Sequence, residues 1–315
     1  MCNIEAVSFT NAEGLRLFGT LHRPDAPRVG MPAILLLSPG IKMRVGPGRL
    51  YVPLTDMLVA QGYTVLRFDF FGLGDSEGEL TETMLADVYN HIEVGRYVGD
   101  TLSAIRWCKE MLGFKSFILG GLCGGAITAL LAAQREPSVE GLLSLGMTVT
   151  LASNAATPAK YMTRAQLDGW RRGYYRRLLQ PKAWLRFLTF QSQYDVIWSS
   201  MKRLILNERT PKNLPRPSDP APIDQRGNAN SLFPPAFFAF LQRGGKALML
   251  FSEKDRLQAE YEEKFVTPYA AQLQDYLPQI RTHIVPNANH VLALHEWQRE
   301  MVEVSREWLV DLHTV

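Results

Sequence analysis

The chain has 315 residues, 46% hydrophobic and 21% charged, a balance that suits one large α/β domain with an insertion or two smaller domains. Its net charge of +3 is too small to argue for nucleic acid without a clustered basic motif, and three widely spaced cysteines, Cys2, Cys108 and Cys123, give neither a disulfide framework nor a metal-ligand spacing. No charged leader with an apolar stretch opens the chain and no run of about 18 uncharged apolar residues occurs, so a cytoplasmic protein with no membrane span is expected.

Residues 6–10 and 15–21 alternate apolar and polar around a turn at Asn11 to Gly14, which predicts an antiparallel hairpin. Four short apolar runs with strand character follow, at 33–37, 63–70, 116–122 and 141–145. Helical patterns lie among them at 50–61, 98–112 and 125–135. Strands alternating with helices predict a parallel, doubly wound sheet covered on both faces. The character then changes: residues 162–206 are helical, aromatic and basic, and residues 211–222 are rich in Pro, Asn and Asp. The rhythm resumes with a strand at 246–251, a helix at 260–277, a strand at 281–285 and a closing helix at 291–312. The expected organisation is a sheet domain in two parts, 1–147 and 236–315, interrupted by a helical cap over 148–235.

The strongest local signal is Gly121-Leu122-Cys123-Gly124-Gly125, where an apolar strand runs through Gly-x-Cys-x-Gly directly into a helix pattern. A sharp strand-to-helix turn lifts its central side chain off the sheet and crowds its flanks so closely that only small residues fit. The helix behind it directs its N-terminal dipole at that side chain, which favours a thiolate. A lone cysteine is otherwise a small buried apolar residue; the strand–turn–helix context reverses that reading.

A nucleophile needs a base, and the base an orienting acid. The strand at 246–251 ends in Ser252-Glu253-Lys254-Asp255, and the last strand ends in Pro286-Asn287-Ala288-Asn289-His290. The order nucleophile, acid, histidine is therefore Cys123, Asp255, His290, with all three at the carboxyl ends of strands, where open α/β sheets carry their sites. Glu253 is the near rival of Asp255. His22 and His91 precede the nucleophile, His283 lies within a strand, His295 is expected one turn into the closing helix, and His313 is terminal. Donors for an oxyanion are expected at the N–H of Gly124 and, from Ser38-Pro39-Gly40-Ile41, at the N–H of Ile41, with Gly40 beside it.

Together these residues resemble the α/β-hydrolase superfamily, in particular its serine-aminopeptidase-like capped branch. Asp69-Phe70-Phe71-Gly72-Leu73-Gly74-Asp75-Ser76 looks like the family's D-x-x-G-x-G-x-S turn, and Ser38-Pro39-Gly40 stands where the family usually has His-Gly. The Gly-Leu-Cys elbow is similar to that of the cysteine hydrolases associated with exosortase systems and of cysteine thioesterases. The resemblance implies a Cys123–His290–Asp255 triad, with Gly40, Leu122, Trp170 and Tyr174 against the substrate, and no metal or organic cofactor.

A thiol attacking a thioester makes another thioester, an exchange that is nearly thermoneutral, so the nucleophile suggests a thioesterase or acyltransferase acting on a small acyl substrate. The alternatives are a carboxylesterase of oxygen esters and a non-catalytic small-ligand-binding member of the fold. The inserted segment interleaves Arg171, Arg172, Arg176 and Arg177 with Trp170, Tyr174 and Tyr175. An amphipathic cap with solvated arginines is the simpler reading; docking of an acidic carrier protein or coenzyme A phosphate is the sharper one.

Overall fold

A computed structural model of the chain describes residues 3–28, 30–151 and 227–313. Eight strands form one sheet: β1 (Asn3–Thr10), β2 (Arg16–Arg23), β3 (Ala33–Leu37), β4 (Val65–Phe68), β5 (Phe117–Leu122), β6 (Val139–Leu145), β7 (Lys246–Ser252) and β8 (Ile280–Val285). Their spatial order is β1-β2-β4-β3-β5-β6-β7-β8. The expected hairpin β1–β2 is antiparallel, and β2 runs antiparallel to β4; every pairing from β4 onward is parallel. β3, β4 and β5 are buried along their whole length, which is why β3 and β5 read as unbroken apolar runs rather than as alternation.

Helices cover both faces. On one side α1 (Tyr51–Ala60) and α7 (His295–His313) pack Tyr51, Leu54, Leu58, Met301 and Trp308 against Ile34, Leu36, Ile118 and Leu143. On the other side lie α2 (Leu85–Glu93), α3 (Val98–Leu112), α4 (Gly124–Arg135) and α5 (Phe233–Gln242), over Leu35, Leu37, Phe68 and Leu119. Two of these were not expected. α2 is short, and α5 carries Pro234-Pro235, the end of the expected cap, in its first turn, which accepts them because N–H groups there have no intrahelical partner. α5 brings Phe233, Phe237 and Phe238 against Phe265, with ring centroids 4.7–5.7 Å apart.

Two expected helices differ. Residues 260–277 do not form one helix: α6 (Leu257–Tyr261) passes into a wide turn over Glu262–Val266, and a tight turn over Gln274–Gln279 contains Pro278. Pro268 and Pro278 each remove a backbone donor that a continuous helix would need, and the segment bends while keeping Phe265 and Leu273 buried. The closing helix starts at His295, not at 291. Leu292 holds φ 51°, a left-handed conformation that a helix interior rejects, and points its buried side chain into the core.

The chain divides into one compact unit of Met1–Ala152 with Ala229–Val315 and another of Ser153–Asn228. At the margins of the first, Thr150 bridges Ala229 and the Asn230 N–H donates to Val149 O over 2.9 Å. Trp170, Tyr174 and the arginine-rich stretch lie outside the described residues. No helix among the described residues is long and apolar enough to cross a membrane.

Candidate active site

Cys123 sits between the last residue of β5 and the first of α4 with φ 55° and ψ −116°, a conformation that L residues rarely adopt. Neighbouring backbone makes room for it. A Cβ at Gly121 would lie 2.5 Å from the Gly125 carbonyl carbon, and one at Gly125 would lie 2.6 Å from Leu37 O. A Cβ at Gly124 would meet Ile92 Cγ2 at 2.8 Å and Gly40 Cα at 3.1 Å, so α4 starts hard against the loop that follows β3. The Cys123 N–H donates to Leu145 O of β6 over 2.9 Å, which fixes the turn to the neighbouring strand.

Asp255 follows β7 and His290 follows β8, and their parallel neighbouring strands bring both loops to the same edge. His290 Nδ1 lies 2.6 Å from Asp255 Oδ2, while the other carboxylate oxygen accepts the Arg256 N–H at 2.7 Å. Cys123 is close enough to act on the imidazole as a second side-chain partner. The bond to Asp255, then that to Cys123, outweigh burial and raise the His290 pKa from 6.5 to about 10. Glu253 turns away and accepts the Asn287 N–H over 2.7 Å; His283 pairs with Glu300 at 2.8 Å and His22 sits beside Arg67 at 2.9 Å.

The loop after β3 supplies the opposite wall. Ser38 is fully buried and its hydroxyl donates to Phe68 O of β4 over 2.9 Å, so the residue standing in place of the family histidine ties two strands together. Gly40 takes φ +60°, and a Cβ there would lie 3.0 Å from Tyr89 Cε1. Among the described residues, the N–H groups of Gly40, Ile41 and Gly124 donate to no protein acceptor. Leu122 is buried, and its N–H donates to the Tyr51 hydroxyl over 2.7 Å.

The loop is braced from below. Asp69 is fully buried, accepts the Arg44 N–H at 2.6 Å and pairs with the Arg44 guanidinium, which also reaches Asp75 at 2.7 Å. Gly74 lies against that carboxylate with no space for a side chain, which accounts for the second glycine of the D-x-x-G-x-G-x-S turn.

Four residues escaped the sequence reading. Tyr89 and Ile92 arrive on the unexpected α2; burial first, then the charges of Cys123 and Glu93, push the Tyr89 phenol up. Arg256 is held by the buried Glu260 at 2.5 Å, itself bonded by Thr150 at 2.9 Å. Tyr51, at the start of α1, donates to Leu37 O over 2.9 Å as well as accepting from Leu122. None carries a local motif; their places follow from how α1 and α2 pack and how the loop after β7 folds.

A family model described as alpha/beta hydrolase fold matches residues 46–296. Monoglyceride lipase of Homo sapiens is 29% identical over 164 residues, covering 50% of this chain and 48% of the lipase, and that of Mus musculus is 28% identical over the same length. The chain thus spans about half the length of the curated relatives it matches. An esterase from Pyrococcus furiosus superposes with a TM-score of 0.58 at 15% identity, covering 98% of this chain and 93% of that one. Proline iminopeptidase from Mycobacterium smegmatis gives 0.55 at 18%, covering 98% of each. At such identities the likeness is one of fold alone. With its family match over residues 46–296 and its eight-stranded, doubly covered sheet, the chain belongs to the α/β-hydrolase fold family.

Proposed function

We propose that the protein is a cysteine-nucleophile acyl hydrolase or acyltransferase working through a covalent acyl-cysteine. The observation that carries the reading is Cys123 at φ 55°, in contact with a histidine whose far nitrogen is 2.6 Å from Asp255. Cys123 Sγ attacks the carbonyl carbon of the substrate, forming a C–S bond, and the carbonyl oxygen becomes an oxyanion received by the N–H groups of Gly124 and Ile41. Collapse of this intermediate breaks the bond to the leaving thiol or alcohol, which takes its proton from His290 Nε2. Water, or an acceptor amine, alcohol or thiol, then gives its proton to His290 as it attacks the acyl-cysteine and frees the thiol. Asp255 orients the imidazole and stabilises its charged form.

Thioesters are the favoured substrates because the first exchange conserves bond type, and the Gly-Leu-Cys elbow supports a place beside the cysteine hydrolases and thioesterases. The second reading, hydrolysis of oxygen esters, is favoured by the partial likeness to proteins named as monoglyceride lipases. Intact-protein mass spectrometry after mixing with a panel of acyl thioesters and matched p-nitrophenyl esters tests both. A stoichiometric adduct on wild type, absent from Cys123→Ala and His290→Ala, is the expected result. Preferential loading and turnover of oxygen esters would move the second reading to the front. No adduct, with iodoacetamide alkylating Cys123 no faster than Cys108, refutes the catalytic reading.

A further inference from the structure

In the parallel pairing of β3 with β5, Ala33 lies opposite Phe117 and its N–H donates to Ser116 O over 3.1 Å. Parallel ladders repeat evenly, so the next bonds in this phase fall two residues on each time, and the last of them joins Leu122 N–H to Leu37 O. The Tyr51 hydroxyl stands between the two, accepting from Leu122 N at 2.7 Å and donating to Leu37 O at 2.9 Å. Inserting one oxygen into a ladder step widens it by roughly 2 Å, the difference between one hydrogen bond and two in series. The residues on either side of the split are those that lead into the site: Leu122 precedes Cys123 and Gly124, and Leu37 precedes Ser38 to Ile41. Tyr51 is itself fully buried, and burial keeps its phenol protonated and able to donate.

We infer that the Tyr51 hydroxyl is a wedge that sets the distance between the two halves of the oxyanion cradle, the N–H of Gly124 after β5 and those of Gly40 and Ile41 after β3. It touches neither substrate nor thiol and is a positioning residue. The inference rests on the acyl-cysteine reading above. Without the hydroxyl, Leu122 N and Leu37 O either close on one another, drawing the cradle shut, or are left without partners at a buried step.

The test uses two reactions of one thiol. Acylation of Cys123 by p-nitrophenyl acetate passes through a tetrahedral oxyanion; alkylation by iodoacetamide does not. In Tyr51→Phe, acylation is expected to fall about 100-fold, the scale of a misplaced or lost oxyanion donor, with the alkylation rate and its pH profile within twofold of wild type. If Tyr51→Phe merely melts at a lower temperature and acylates normally at 25 °C, the hydroxyl is structural and the wedge is refuted. If both reactions slow together, the hydroxyl acts on the thiol or imidazole, which also refutes it. Where Tyr51→Phe yields no folded protein, 4-aminophenylalanine at position 51, which both donates and accepts, carries the test. Acylation within about fivefold of wild type supports the wedge, and acylation lost with alkylation kept refutes it. Should wild type itself take no acyl group, the underlying catalytic reading fails first, and the variants are not needed to see it.

Discussion

Replacing Cys123 by Gly and by Ala separates the demands of catalysis from those of folding. Both variants remove the thiol and its contact with His290, so their difference isolates the backbone at φ 55°, ψ −116°. Holding a residue with a Cβ in such a region costs about 1–3 kcal/mol, and glycine escapes this cost. Against it, glycine loses about 0.4–1 kcal/mol through the greater freedom of its unfolded chain. Alanine also keeps one half-buried methyl worth about 0.4 kcal/mol. The balance leaves Cys123→Gly more stable than Cys123→Ala by about 1 kcal/mol. Equilibrium urea unfolding followed by tryptophan fluorescence reads this as a higher midpoint at an unchanged slope. An alanine variant as stable as the glycine one would show that the elbow holds no strain and that the backbone at Cys123 does not mark a nucleophile.

The pH dependence follows from His290. Its pKa is raised in the fold from 6.5 to about 10, so its contribution to stability is fully present below about 6.5, declines as pH rises and is gone above about 10. The unfolding midpoint of wild type relative to His290→Gln should fall between pH 7 and pH 10.5, and acylation should fall over the last part of that range as the leaving group loses its acid. Gly125→Ala places a methyl 2.6 Å from Leu37 O and 3.0 Å from Ser38 O, both backbone atoms that cannot step aside, and should cost about 3 kcal/mol in urea unfolding along with acylation. Arg44→Leu leaves the fully buried Asp69 without its cation and should destabilise by about 3–5 kcal/mol; Asp69→Asn in the same background should restore part of that loss in a double-mutant cycle.

Much of the scaffold could be read from residue order because buried parallel strands and elbows leave local marks. The run at 33–37 is β3 to the residue, the pattern at 98–112 is α3 to the residue, and Gly121, Cys123 and Gly125 announce the junction of β5 and α4. Asp255 and His290 were legible by chain order, since each follows a strand of the same sheet. What escaped was set at a distance. Nothing in Leu85–Glu93 shows that Tyr89 will cover Gly40, or that Ile92 will press on Gly124. Tyr51 reads as an ordinary first-turn tyrosine until the register of β3 against β5 is known. The break near Leu292 escaped because its cause is a buried side chain that the core accepts only from a left-handed backbone, not a residue with an evident taste for that conformation.

The pairing of β6 with β7 also bears on how such a chain diversifies. The two strands are immediate neighbours in the sheet, yet residues 146–245 separate them in the chain. Because the entropy of closing a loop grows only with the logarithm of its length, trimming an excursion of about 100 residues to about 30 changes folding free energy by roughly 1 kcal/mol. The register from Gly141 opposite Lys246 to Leu145 opposite Leu250 is held by the strands' own ladder and apolar faces. Apart from stretches such as α5 that pack on the sheet, selection can therefore lengthen or shorten the excursion at little thermodynamic cost while the strands keep their register.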